Sequence, residues 1–261
     1  MRVVALLATY NEHRFVGQCI EHLDAHGVET YLIDNCSTDA TVAIAEGHLG
    51  RGLMGIESFP RGDVYEWRAL LARKEQLARE IDADWFIHLD ADELRLPPPG
   101  GRTLAEALAA VDREGYNAVN FMEFTFIPTR ESPDHDHPGF QRTLRTYYPF
   151  APRPVHQLKA WKGADIELAS SGGHEANFAG LRMWPEPFPM KHYLFLSVPH
   201  AIEKYVDRGY DPEEVESGWH GWRARLRAEE ISLPSEAELR VSRAADDLDA
   251  SAPRTRHYVD R

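Results

Sequence analysis

Asp90, Asp92 and Glu93 put three carboxylates within four positions, directly after the apolar run Trp85-Phe86-Ile87-His88-Leu89. A run of that length suits a buried strand. Carboxylates crowded at its end repel one another, and each must be desolvated or paired. A hard divalent cation meets that need, because Mg²⁺ or Mn²⁺ takes oxygen ligands and keeps positions open for substrate phosphates. Two more polar clusters follow apolar runs. Thr9-Tyr10-Asn11-Glu12 follows residues 3–8, and Asp34-Asn35-Cys36-Ser37-Thr38-Asp39 follows Tyr31-Leu32-Ile33. Open α/β sheets bind ligands beyond the carboxyl ends of their strands, so three such loops in one parallel sheet share an edge. Plainer roles stay open for each. Thr9 and Asn11 can close a loop, Asp34 and Asp39 can cap a turn or helix, and the acids at 90–93 can begin a helix. A calcium loop fits poorly, since Arg95 stands where it needs Gly and Gly101 where it needs Glu.

The elements that carry these clusters alternate. Residues 3–8 read as a buried strand, and a helix follows to about His26 with Phe15, Cys19, Ile20 and Leu23 on one face and Gly27 at its end. A strand at 31–33 leads to a helix through Val42, Ile44 and Ala45, capped by Ser37, Thr38 or Asp39. A third strand spans 53–59 and a long helix 64–81, before the strand at 85–89. The pattern is that of a mostly parallel α/β sheet flanked by helices. Pro97-Pro98-Pro99-Gly100-Gly101 breaks the chain, so residues 1–96 read as one functional half and 97–261 as the other, within one continuous domain. Thr103-Leu104-Ala105-Glu106 is a capping box for a helix to about Glu114. Ala118 to Phe126 reads as a strand, 128–140 as a mobile loop, 141–195 as short strands and turns, 199–208 as a short helix and 235–248 as a helical segment.

Composition narrows the class. The chain has 261 residues and a formal net charge of −13, from 42 acids against 29 Lys and Arg. Such a chain has no general attraction to nucleic acid or anionic membrane, although a local basic pocket for a nucleoside diphosphate stays compatible. Two cysteines, Cys19 and Cys36, give no disulfide framework and point to a reducing cytoplasm. No stretch approaches the roughly 20 apolar residues of a membrane helix.

Read together, Ala8-Thr9-Tyr10-Asn11-Glu12, Leu32-Ile33-Asp34-Asn35-Cys36-Ser37-Thr38-Asp39-Ala40-Thr41 and His88-Leu89-Asp90-Ala91-Asp92 resemble a family-2-type glycosyltransferase with a GT-A fold. The resemblance covers residues 1–95 and thins afterwards. It implies a nucleotide-sugar donor (UDP-, GDP- or TDP-linked) held by the first half, and a small-molecule or glycan acceptor held by an irregular second half. Thr9, Tyr10, Asn11 and Glu12 would border the base and ribose, with Asp34 bonding the base. Arg68, Arg73 or Lys74 would reach the base or diphosphate. Asp90 would touch the ribose or a metal-bound water, beside Ala91, and Asp92 would ligate Mn²⁺ or Mg²⁺.

The same resemblance implies a third metal ligand late in the chain. His192, in Met190-Lys191-His192-Tyr193-Leu194, and His174, between Gly173 and Glu175, are the rivals. His135 and His137 read as surface residues of the mobile loop, with an acceptor lid as the sharper alternative. Glu175 and Asp165 are the candidate general bases, with Glu93 not excluded. Trp161, Trp184 and Tyr193 are candidates to stack on a sugar, against a plain role in the core. Processive members carry Q-x-x-R-W; Gln157-Leu158-Lys159-Ala160-Trp161 lacks the Arg, which points to single transfers. A nucleotidyltransferase is the rival enzyme, but Ala8 to His13 holds none of the glycine its phosphate loop needs. A non-catalytic nucleotide-sugar-binding module of the same fold is the other alternative.

Overall fold

The computed structural model describes residues 1–260 apart from 63, 153–156, 164, 218, 220 and 245–246. In chain order the first elements are β1 (Val3–Thr9), α1 (Val16–Ala25), β2 (Glu29–Asp34), α2 (Thr41–Glu46), β3 (Leu53–Ser58), α3 (Trp67–Glu80) and β4 (Trp85–Leu89). Then come β5 (Glu93–Arg95), α4 (Leu104–Arg113), β6 (Ala118–Phe126), α5 (Phe140–Thr143), β7 (Thr146–Phe150), β8 (Leu158–Lys162) and β9 (Phe188–Tyr193). The last are α6 (Val198–Ala201), α7 (Pro212–Glu216) and β10 (Arg240–Val241).

The chain divides into two compact units. The first comprises Met1–Arg61, Trp67–Phe121 and Val155–Met190; the second comprises Gly62–Glu66, Met122–Pro154 and Lys191–Arg261. The division therefore does not follow a cut at residue 96: the chain returns to the first unit after visiting the second.

In the first unit the strands lie in the order β6-β8-β4-β1-β2-β3. β1, β2, β3 and β4 are parallel, and β8 runs antiparallel to β4 and β6. Every residue of β4 is buried, as are Val3 to Leu7 of β1. Strands covered on both faces read as continuous apolar runs, which is how both appear in the sequence. α1 buries Val16, Cys19, Ile20 and Leu23, the stripe expected from their spacing, and Gly27 takes a φ of +71° just past its end, a conformation glycine adopts without strain. α4 opens with the expected capping box between Thr103 and Glu106.

The second unit pairs β10 with β7, and β7 with the end of β6. Its core gathers Ile127, Tyr148, Phe150, Leu194, Phe195, Tyr205 and Val259. Two expectations fail here. His135 is buried rather than a surface residue: its N–H reaches Leu196 O at 2.8 Å, and the preceding Asp134 bridges to Ser197. The expected helix at 235–248 is a 3-10 turn at Glu236–Glu238 followed by β10. Edge pairing of Arg240 and Val241 with Tyr147 and Thr146 overrides the local helical pattern. The short helix expected at 199–208 is present, as α6 running directly into a π-turn at Ile202–Val206.

Candidate active site

The register places the three polar loops at one edge of the first unit. Thr9 stands opposite Asp34, Asp34 opposite Ser58, and Leu7 opposite Leu89. All four strands run the same way, so the residues after Thr9, Asp34, Ser58 and Leu89 emerge together.

The first two loops are stitched to each other. Asn11 N–H donates to Ser37 Oγ at 2.9 Å, Glu12 N–H to Thr41 Oγ1 at 2.7 Å, and Thr38 N–H to Asn11 Oδ1 at 2.8 Å. Asn11 adopts a φ of +57° to make these bonds. Its side chain thus closes the loop in this structure. Asp39 does not cap α2 as its N-cap residue; Ala40 holds that place, and Asp39 Oδ1 accepts from Thr41 N–H at 2.8 Å. Its other oxygen holds His13 Nδ1 at 2.6 Å. Burial raises the Asp39 pKa, but the bonds from Thr41 and His13 outweigh it and hold the carboxyl below its ordinary range. Asp34 is buried and accepts from Ser37 N–H at 2.9 Å.

Tyr10 is half-buried, and the guanidinium of Arg61 lies 3.7 Å from the centre of its ring. Arg61 also donates to Asn35 Oδ1 at 2.9 Å. A stacked guanidinium and an aromatic ring make a flat, polar-edged surface. Sequence reading missed Arg61; the signal was Pro60-Arg61-Gly62, placed just past β3 on the same edge.

The acid loop separates into two roles. Asp92 is 4% exposed and Asp90 half-buried. Glu93 begins β5 and is committed elsewhere: Arg95 Nη2 reaches it at 2.6 Å and Lys159 Nζ at 3.2 Å. Glu93 is therefore the anion of a buried triad. Lys159 is the central residue of the segment 157–161 that was compared with Q-x-x-R-W.

The helix residues expected to meet a donor also divide. Arg68 is exposed on α3. Arg73 is spent on Glu57 at 2.7 Å and Glu80 at 3.0 Å. Lys74 is fully buried, its Nζ 2.8 Å from His88 Nδ1 and 3.3 Å from Leu89 O. Arg73 and Lys74 both hold partners within the protein in this structure. Burial, opposed first by Asp90, lowers the Lys74 pKa to about 7. Burial and the charge of Lys74 hold His88 well below the ordinary histidine range. His88 is therefore neutral, its Nδ1 accepting from Lys74.

The loop at 169–175 presses on this group. Trp67 Nε1–H donates to Gly172 O at 2.8 Å, and a Cβ on Gly173 would lie 3.1 Å from His88 Nε2. His174 and Glu175 follow on the same loop, both half-buried, and Glu175 N–H donates to Ser171 Oγ at 2.9 Å. Asp165 is exposed. His192 belongs to the second unit, where its Nδ1 lies 2.7 Å from Glu123 Oε1. Among the described residues no three His, Cys, Asp or Glu side chains form a group that could hold a metal. Trp161 and Tyr193 are core residues, Trp161 stacked with Phe86 at 6.0 Å. Trp184 stays half-exposed against Tyr116.

The first unit is thus a mostly parallel α/β sheet flanked by helices, with polar loops stitched together at its strand ends, and the class it belongs to is given by its family. The model of Glycosyl transferase family 2 matches residues 5–157, more than half of the chain, and the chain belongs to that family. No curated protein matches its sequence. Among solved structures, S. aureus TarS 1–349 in complex with UDP-GlcNAc is 13% identical at a TM-score of 0.48, covering 89% of this chain and 74% of that one. The chain spans 44% of another TarS structure. Glucosyl-3-phosphoglycerate synthase from Mycobacterium tuberculosis, in complex with Mn²⁺, UDP and phosphoglyceric acid, is 18% identical at a TM-score of 0.35, covering 47% of this chain and 43% of that one. Membership rests on the family match. No helix among the described residues is long and apolar enough to cross a membrane.

Proposed function

We propose that this glycosyltransferase takes its sugar from a nucleoside-diphosphate donor bound at the strand-end edge of the first unit, with a divalent cation at Asp90 and Asp92. The observation that carries the reading is the register that brings Thr9, Asp34 and the acid loop to one edge. Tyr10 and Arg61 offer a face and a charged edge to the base, and Asp34 an acceptor for a base N–H. Thr9 and Glu12 border the ribose. Exposed Arg68 on α3 is a candidate cation for the diphosphate.

Two hard carboxylates suit Mn²⁺ or Mg²⁺, which protein sites commonly hold through one or two carboxylates plus substrate phosphates. Bound there, the ion would act as a Lewis acid toward the leaving diphosphate. The chain's own part is to orient the donor, hold the acid loop and deprotonate an acceptor hydroxyl. Glu175, on the loop against Trp67 and His88, is the first candidate for that base, and Asp165 the second. Transfer is non-processive in this reading, because Ala160 stands in place of the Arg of Q-x-x-R-W. A cytoplasmic setting accords with two free cysteines. The acceptor, a small molecule or a glycan, falls to the remainder of the chain.

A thermal-shift screen of UDP, GDP, TDP and CDP, each with and without Mn²⁺, tests the proposal. The UDP complexes among the similar structures put the uridine nucleotide first. Binding at 100 times Kd stabilises a fold by about 2.7 kcal/mol, so at least one nucleotide with Mn²⁺ should raise the melting temperature by several degrees. No shift with any of them would overturn the reading.

A further inference from the structure

Three buried cations lie beneath three acids. Glu93 is shared by Arg95 and Lys159. Lys74 is different: the groups that accept from its ammonium are neutral, an imidazole nitrogen and a backbone carbonyl. A charge taken out of water needs an opposite charge nearby. Asp90 is the first of the charges that favour the protonated form of Lys74. The carbonyl that Lys74 holds belongs to Leu89, the residue directly before Asp90.

Nothing in the packing of α3 on β4 requires an ammonium there. The neighbouring α3 positions Leu70, Leu71, Leu77 and Ala78 are apolar and buried, and an apolar side chain of similar length would avoid the desolvation cost. The lysine stands instead where its ammonium donates to the carbonyl directly before Asp90, close enough for Asp90 to favour its charged form.

We propose that Lys74 is a positioning residue of the donor site, which fixes the end of β4 and supplies positive potential beneath Asp90 and Asp92. That potential weakens a bare divalent cation at the two carboxylates and favours the anionic diphosphate. Metal and nucleotide are then held better together than either carboxylate-bound metal alone would suggest, so the cation enters with the donor. The proposal rests on the reading of Asp90 and Asp92 as the metal side of the site.

The test is Lys74→Gln, whose amide can still donate to His88 and Leu89 but carries no charge. At about pH 6, where Lys74 is largely protonated in the wild type, Mn²⁺ affinity without nucleotide is measured by electron paramagnetic resonance. UDP affinity without metal is measured by calorimetry. The variant should bind Mn²⁺ roughly three- to tenfold more tightly and UDP more weakly by a similar factor. Loss of packing alone would weaken both, so a parallel fall overturns the proposal, as does no change in either. Lys74→Met is the second variant should Gln fail to fold, with the same two outcomes. Failure of both to fold would make Lys74 a purely structural residue and overturn the proposal. Wild-type protein that binds neither Mn²⁺ nor UDP would remove the reading of Asp90 and Asp92, and the role of Lys74 with it; normal wild-type binding with unshifted variants removes the role of Lys74 alone.

Discussion

Glu93→Gln separates the structural member of the acid loop from its functional members. Glu93 has a side chain 4% exposed, Arg95 0% and Lys159 5%, and the two cations approach to 2.6 and 3.2 Å. Neutralising Glu93 leaves two buried cations with their shared anion removed. Arg95 is already poor in partners: its Nε and Nη1 are buried and make no hydrogen bond among the described residues. Removing one partner of a buried ion pair costs about 3–5 kcal/mol, because the other charge stays desolvated and uncompensated. At about 2–4 °C per kcal/mol for a chain of this size, the melting temperature should fall by about 6–20 °C. Asp92→Asn, which removes a like charge from the same loop, should stay within about 1 kcal/mol of the wild type. Urea unfolding followed by circular dichroism measures both. A Glu93→Gln variant within about 1 kcal/mol of wild type would refute the triad as a stabilising unit.

Gly173→Ala places a methyl 3.0 Å from Leu71 Cδ2 and 3.1 Å from His88 Nε2 at a φ of +81°; it should destabilise the protein by about 1–3 kcal/mol, read as a lower urea midpoint. Glu123 responds to acid. Burial raises its pKa, but its interactions with His192 and His257 and the Thr125 hydrogen bond outweigh that and hold the carboxyl well below its ordinary range. Its stabilising contribution is therefore full above the unfolded value of about 4.3 and lost as pH falls through the folded one. Glu123→Gln should accordingly be less stable than wild type at pH 7, with the gap closing below about pH 4; a gap independent of pH would contradict the ion pair.

The alternation from β1 to β4 was legible because β1 and β4 are buried apolar runs and α1 carries a periodic stripe between them. The edge that holds the site was legible for the same reason, since polar clusters ended three of those runs. What stayed hidden was division of labour within the clusters. Glu93 and Asp92 are neighbours in sequence, yet Glu93 is claimed by Lys159, 66 residues away along the chain. Asn11 reads as a donor contact in its own segment, and Ser37 and Thr38 meet it from the adjacent loop. Lys74 and Arg73 are adjacent on one helix, and the 100° between successive residues sends one into the core and the other to Glu57 and Glu80. In the second unit the helical pattern at 235–248 gave way to strand pairing with residues 146–147, a contact that no local window contains.

The most direct test of the central claim compares wild type and Asp92→Ala for binding of UDP in the presence of Mn²⁺, with the free cation measured in parallel. The account predicts that wild type binds UDP much more tightly with Mn²⁺ than without. It predicts that Asp92→Ala keeps the wild-type fold by circular dichroism, loses that metal-dependent gain and abolishes sugar transfer. A folded Asp92→Ala protein that retains Mn²⁺-dependent UDP binding and normal turnover would contradict the assignment of the acid loop as the metal side of the donor site.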